Sequence, residues 1–286
     1  MGTKGVEDSD LGDATGRTDV TEYWEYEGKG RQMGYETIKL EKEDRVATII
    51  FNRMEKKNAA NHQVFKDLEA ALTDIEEDVN MRVVVLTGQD DVFSAGADVS
   101  GFDFQKVSAG MHFMELVAKV FNHFEYIPKP VVMAVNGIAY GFGTGITLTG
   151  DIVIASDRAK FSIREINHGA IPIETLTRGM EVMGKHRIAY LSLMANDITA
   201  EEAKAIGLVN TVVPHGQLKE EVARVCDKLK NGAPFAQAAI KRILNRRSHE
   251  DWDFGLGIMP AVFATDDVAE ARKAFIEKRK PRFTGK

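Results

Sequence analysis

The sequence predicts an α/β fold, a mainly parallel sheet flanked by helices and followed by a helical C-terminal region. Three observations carry that expectation. The runs VVVLTG, VVMAVNG and DIVIAS are short and almost wholly apolar, as strands covered on both faces are. Segments with helical apolar spacing fall between them, so the strands must be joined by crossovers rather than hairpins. After Leu176 the helical pattern dominates, broken by one strand at LVNTVV.

The elements follow in order. From Tyr35, ETIKLEKEDRVATIIFNR alternates on either side of a polar turn and reads as a β-hairpin. HQVFKDLEAALTDIEED sets Val64, Leu68, Leu72 and Ile75 at helical spacing. MHFMELVAKVFNHFEYI reads as a helix that must stop before Pro128. Later helices are expected at roughly 215–231, 235–246 and 264–277. The chain therefore divides into an N-terminal arm (1–33), an α/β core (34–220) and a C-terminal helical region (221–286). The arm is rich in Gly, Asp, Glu and Thr without a sustained apolar period, the composition of a disordered segment. Tyr23, Trp24 and Tyr26 interrupt it, as a docking cluster or a solvated patch.

Composition narrows the function classes. With 286 residues, 28% charged, and a net charge of -6, the chain has no general attraction for phosphate backbones, which excludes nucleic acid as its main partner. Its single cysteine, Cys226, has no intrachain partner and suits a reducing compartment as a small buried side chain. No window reaches the ~20 apolar residues of a membrane span. The first residues lack the apolar core of a secretory signal, and their acidic balance argues against a transit peptide. A cytoplasmic protein without a metal site is expected.

Two glycine-rich turns stand out. Ala95-Gly96-Ala97-Asp98 follows an apolar run, and Gly137, Gly141, Gly143 and Gly145 lie between a buried strand and a short helix. Such turns let backbone approach a ligand, and a helix start leaves N–H groups without intrahelical partners. The second turn is not a dinucleotide fingerprint, because no glycine stands three residues after Gly143. Further on, REINHGAIPIE places Glu165 and Glu174 nine residues apart. Gly169 and Pro172 between them interrupt any helix, so the two acids meet only through a loop.

NRMEKKNAAN, FSAGAD, AVNGIAYGFGTGI, DIVIASDRAKF, EINHGAIP, ITAEEAKAIGLVNTVVP and AFIEKRKPRF stand in register over residues 34–286. Together they resemble the crotonase superfamily, that is, the enoyl-CoA hydratases and isomerases and their relatives. The resemblance implies a crotonase-like spiral of repeated ββα units with mainly parallel sheets. It also implies an acyl-CoA substrate whose thioester oxygen receives the backbone N–H groups of Ala97 and Phe142. Ala95, Gly96, Asp98 and Gly141 join these in the substrate-binding set. Chemistry beside a thioester passes through an enolate, and each prearranged donor at its oxygen supplies about 3 kcal/mol.

The resemblance makes Glu165 the catalytic acid or base; a solvated or salt-bridged carboxylate is the plainer reading of that residue. Two positions depart from the pattern: Phe142 stands where glycine is usual, and Gly145 stands where many hydratases carry a second glutamate. Glu174 then has two readings, a helix-end charge worth roughly 0.3–1 kcal/mol or a replacement acid in the acyl pocket. His168 is expected to be structural and bonded to backbone, with reaching the site as the alternative, and Tyr140 to line the acyl channel or the core. Arg53, Lys57, Lys278 and Lys280 are implied to lie near the adenine and phosphates of coenzyme A, where charge-assisted hydrogen bonds suit them. No cofactor is expected to be permanently bound; coenzyme A enters as part of the substrate. A carbon–carbon bond hydrolase acting on a β-diketone and a non-catalytic acyl-CoA binder are the alternatives. A homotrimer or homohexamer is implied.

Overall fold

A computed structural model describes residues 34–98, 107–245, Gly257, Pro260 and 263–282. The expected arm, 1–33, lies outside them. The strands are β1 (Ile38–Glu43), β2 (Val46–Phe51), β3 (Val83–Thr87), β4 (Val92–Ser94), β5 (Val131–Val135), β6 (Ile138–Tyr140), β7 (Ile152–Ser156), β8 (Lys160–Ser162), β9 (Ile198–Thr199) and β10 (Thr211–Val213). The helices are α1 (His62–Glu77), α2 (Val107–Tyr126), α3 (Phe142–Thr147), α4 (Ile173–Met183), α5 (Lys185–Met194), α6 (Ala200–Ala205), α7 (Leu218–Lys230), α8 (Pro234–Leu244) and α9 (Asp266–Ile276). Tyr35–Lys286 forms one compact unit.

β1 and β2 make the expected antiparallel hairpin, and β2 continues into a six-stranded sheet of order β1-β2-β3-β5-β7-β10 in which every later pairing is parallel. The apolar runs are explained by covering on both faces. Val84 and Leu86 of β3 face the main core with Val131 and Met133 of β5. Val83 and Val85 face the other side with Val132 and Ala134, beneath Leu218 and Cys226 of α7. Cys226 is buried there, and its thiol is pushed up to about 11 by burial.

A second sheet of order β4-β6-β8-β9 went unread in the sequence. Its strands are two or three residues long, and β4 and β6 run into the two glycine-rich turns. Each of β3, β5 and β7 passes directly into a strand of this small sheet, giving the repeated ββα winding. The Asn136 side chain braces two of these passages: its Oδ1 accepts from Gly88 N–H at 3.0 Å and its Nδ2 donates to the Asp90 carbonyl at 2.7 Å. The parallel β4–β6–β8 strip thus brings the ends of three passages side by side, which is what assembles the site.

Candidate active site

The first turn is held by its neighbours. Ala95 N–H donates to the Lys57 carbonyl at 2.9 Å, Gly96 N–H to Ser94 Oγ at 3.3 Å, and Asp98 N–H to the Ala60 carbonyl at 2.8 Å. Ala97 N–H donates to no hydrogen bond among the described residues. The loop opposite is clamped by Asn58, whose Oδ1 accepts from Arg53 N–H at 3.0 Å while its Nδ2 reaches the Val92 and Phe93 carbonyls, both at 3.2 Å. At the second turn Gly141 N–H donates to the Ser162 carbonyl at 2.8 Å, and Phe142 is the first residue of α3, so its N–H has no intrahelical acceptor. Gly141 has φ +50° and ψ −114°, a conformation that side chains with a Cβ rarely adopt. The two turns touch: a Cβ added at Gly96 would lie 3.2 Å from the Tyr140 carbonyl oxygen.

Both turns open on one cavity of about 540 Å³, and both glutamates of REINHGAIPIE line it. Glu165 sits on a 3-10 turn, Glu165–His168, and Glu174 in the first turn of α4. Glu174 Oε2 and Glu165 Oε2 are each buried without a hydrogen-bond partner among the described residues. Burial first, and the Glu174 charge second, push the Glu165 carboxyl up to about 7. Burial likewise raises Glu174 above the usual carboxylate range. Like charges at one desolvated site favour a state in which the pair keeps a proton.

The approach of Glu174 depends on Gly145. A Cβ built at Gly145 would lie 2.5 Å from Thr175 Oγ1 and 3.6 Å from the Phe121 ring. With no side chain there, the first turn of α4 packs onto α3, and Glu174 reaches the cavity beside its neighbour Thr175. The Phe142 ring points into the core, edge-on to Phe51, Phe65 and Phe121 at centroid distances of 6.2, 5.0 and 6.0 Å. The departure from glycine therefore adds an apolar anchor to α3, and Phe142 also lines the cavity.

A family model described as enoyl-CoA hydratase/isomerase matches residues 41–286. The chain belongs to the enoyl-CoA hydratase/isomerase family. Among its relatives in this family, the short-chain-enoyl-CoA hydratase of Clostridium acetobutylicum is 36% identical over 254 residues, which are 87% of this chain and 97% of that protein. The crotonyl-CoA hydratase of Syntrophomonas wolfei is 34% identical over 260 residues, 89% of this chain and 100% of the relative. A solved structure of methylmalonyl-CoA decarboxylase in complex with 2-nitronate-propionyl-CoA superposes with a TM-score of 0.81 at 27% identity, covering 88% of this chain and 100% of that one.

Other predicted residues of this family member fall differently around the cavity. Arg53 is not on its wall: its Nη1 pairs with Asp98 Oδ2 at 2.7 Å and donates to the Ala59 carbonyl at 3.0 Å, tying the first turn to the preceding loop. Lys57 lies off the wall at φ +49°, and Lys56 lines the cavity instead. Lys278 and Lys280 are exposed and also off the wall. His168 lines the cavity, the second of its two readings, edge-on to Phe275 of α9 at 6.1 Å; its ring has no hydrogen bond to backbone among the described residues, and desolvation lowers its pKa. Tyr140 takes the channel position. Arg164 stacks on its ring at 3.8 Å, and Asp197 accepts from Tyr140 Oη at 2.8 Å and pairs with Arg164. No local pattern in the sequence marks Asp197 or Thr175. Among the described residues no cluster of three His, Cys, Asp or Glu side chains is arranged to hold a metal, and no helix is long and apolar enough to cross a membrane.

Proposed function

We propose that this acyl-CoA enzyme hydrates a 2-enoyl thioester, with Glu165 and Glu174 dividing the work on water and proton. The observation that carries the reading is the pair of buried, unpartnered carboxyls on the cavity that also holds the Ala97 and Phe142 N–H groups. The two N–H groups receive the thioester oxygen, where negative charge grows as the enolate forms. The ionised carboxylate takes a proton from water while the water oxygen bonds to Cβ. The protonated carboxyl returns a proton to Cα as the enolate collapses, so H and OH are added across the double bond. A carboxyl titrating near neutrality suits both steps.

The test is turnover of 2-enoyl-CoA and 3-enoyl-CoA by the purified chain and by Glu165→Gln and Glu174→Gln. Hydration by the parent, lost in both variants, supports the reading. Double-bond migration that survives Glu174→Gln would replace it with a one-glutamate isomerase. Action on a β-diketone alone would point to carbon–carbon bond hydrolysis, and tight coenzyme A binding without turnover to a binder.

Assembly as a homotrimer or homohexamer is part of the proposal. It is supported by exposed apolar side chains on α5 (Tyr190, Leu193, Met194) and α8 (Phe235, Ile243, Leu244). Sedimentation as a monomer at micromolar concentration would overturn it.

A further inference from the structure

Arg178 stands one helical turn after Glu174 on α4, the spacing at which an arginine and a glutamate pair. It does not pair with it. Its Nε donates to Glu125 Oε1 at 2.7 Å and its Nη2 to Glu125 Oε2 at 2.8 Å, a two-pronged bond to a residue of α2. Nη2 also reaches Asn122 Oδ1 at 3.2 Å, and Nη1 reaches the backbone carbonyl of Glu174 at 3.4 Å. The whole arrangement is buried, with Arg178 and Glu125 side chains 3% and 5% exposed. The Arg178 charge lowers the Glu174 carboxyl from a distance, against the larger effect of burial, while its hydrogen-bonding fork is committed to Glu125.

We propose that Glu125 is a positioning residue that holds Arg178 away from the Glu174 carboxylate and so leaves Glu174 able to exchange a proton in the cavity. This rests on the reading of Glu174 as a working acid. A fork bonded at both tines is geometrically fixed, and rotating it toward Glu174 would strand a buried Glu125 charge, which is strongly unfavourable. An Arg178–Glu174 pair would instead lock the acid in its ionised form, since an opposite charge at contact lowers a carboxyl by about 1–3 pH units. The other charged and titratable side chains on the cavity wall are Glu165 and His168 of the 3-10 turn, Arg164 just before it, which is paired with Asp197, and Lys56. Asp98 is also on the wall but is held by Arg53. Lys241 of α8 acts on Glu125 from behind and is itself paired with Asp151.

The experiment is an infrared pH titration of the protonated-carboxyl band assigned to residue 174 by its loss in Glu174→Gln. It uses the full chain, the Glu125→Gln and Glu125→Asp variants, and the double variant Glu125→Gln/Arg178→Met. Release of Arg178 should lower the midpoint by about one pH unit or more in Glu125→Gln, a tenfold change in proton affinity. Glu125→Asp, which keeps the charge but shortens the fork, should move it less, and the double variant should restore the parent midpoint or exceed it. An unchanged midpoint in Glu125→Gln overturns the proposal; so does an unchanged one in Glu125→Asp if Glu125→Gln does not fold. A downward shift that persists in the double variant also overturns it. Because the readout is not turnover, a Glu174→Gln variant with full activity would sink the catalytic reading of Glu174 while leaving the diversion of Arg178 to be judged by its own titration.

Discussion

The Glu165 carboxylate lies against the backbone of Gly141: a Cβ built on that glycine would stand 2.9 Å from Glu165 Oε1 and 3.4 Å from its Cδ. The Glu165 carboxylate is therefore set beside the turn that leads into Phe142, and their spacing is fixed by the lack of a side chain at Gly141.

Gly141→Ala should disturb both at once. Alanine at φ +50° and ψ −114° is strained, by about 1–3 kcal/mol, and the methyl displaces the carboxylate. A shift of roughly 1 Å in a reacting group lowers rate on the order of 10²-fold. Thermal unfolding and kcat/KM of the purified variant should both fall, kcat/KM by far the more.

Glu165→Gln should change how stability depends on pH. The folded carboxyl titrates at about 7, above its unfolded value of 4.5, so between those values the native state binds more protons than the unfolded chain. Parent stability must then fall as pH rises through this window and level off above it. At about 1.4 kcal/mol per unit the Glu165 share is at most about 3.5 kcal/mol. Glutamine removes that share, so urea midpoints measured from pH 4 to 8 should decline less in the variant, with the remaining slope carried by Glu174 and the other shifted groups, His123 among them.

Gly145→Ala should destabilise the protein by about 1–3 kcal/mol through overpacking against Thr175 Oγ1. Thr175 is fully buried. Gly145→Ala combined with Thr175→Ala should recover most of the loss, a coupling that denaturant titration of the four proteins of the cycle would measure. Additive losses would contradict the contact.

Phe142→Ala should separate packing from chemistry. Removing the ring from among Phe51, Phe65 and Phe121 should cost about 3–5 kcal/mol. The peptide N–H remains, so kcat measured well below the melting temperature should fall much less than in Gly141→Ala.

The large sheet is legible in the sequence because strands covered on both faces are written as unbroken apolar runs, and Val83–Leu86 is one of them. The small sheet is not, since two or three residues cannot express a period. The turns and Glu165 are legible through motif order, which also names Ala97 and Phe142. What motif order cannot supply is side-chain reach. Arg53 carries a positive charge that suits a phosphate, yet Asp98, 45 positions later, takes it in a 2.7 Å pair. Glu174 reads equally as a helix-end charge until α4 is seen packed on Gly145. The Arg178–Glu125 fork spans 53 residues and leaves no trace in any local pattern.

Cys226 is the only sulfhydryl of the chain, and it is sealed between α7 and the face of the sheet opposite the site. A thiol held near 11 and shut away from water reacts only when that helix lifts. Its labelling rate with a sulfhydryl reagent is a built-in clock for the opening of α7, readable without introducing a probe anywhere else in the molecule.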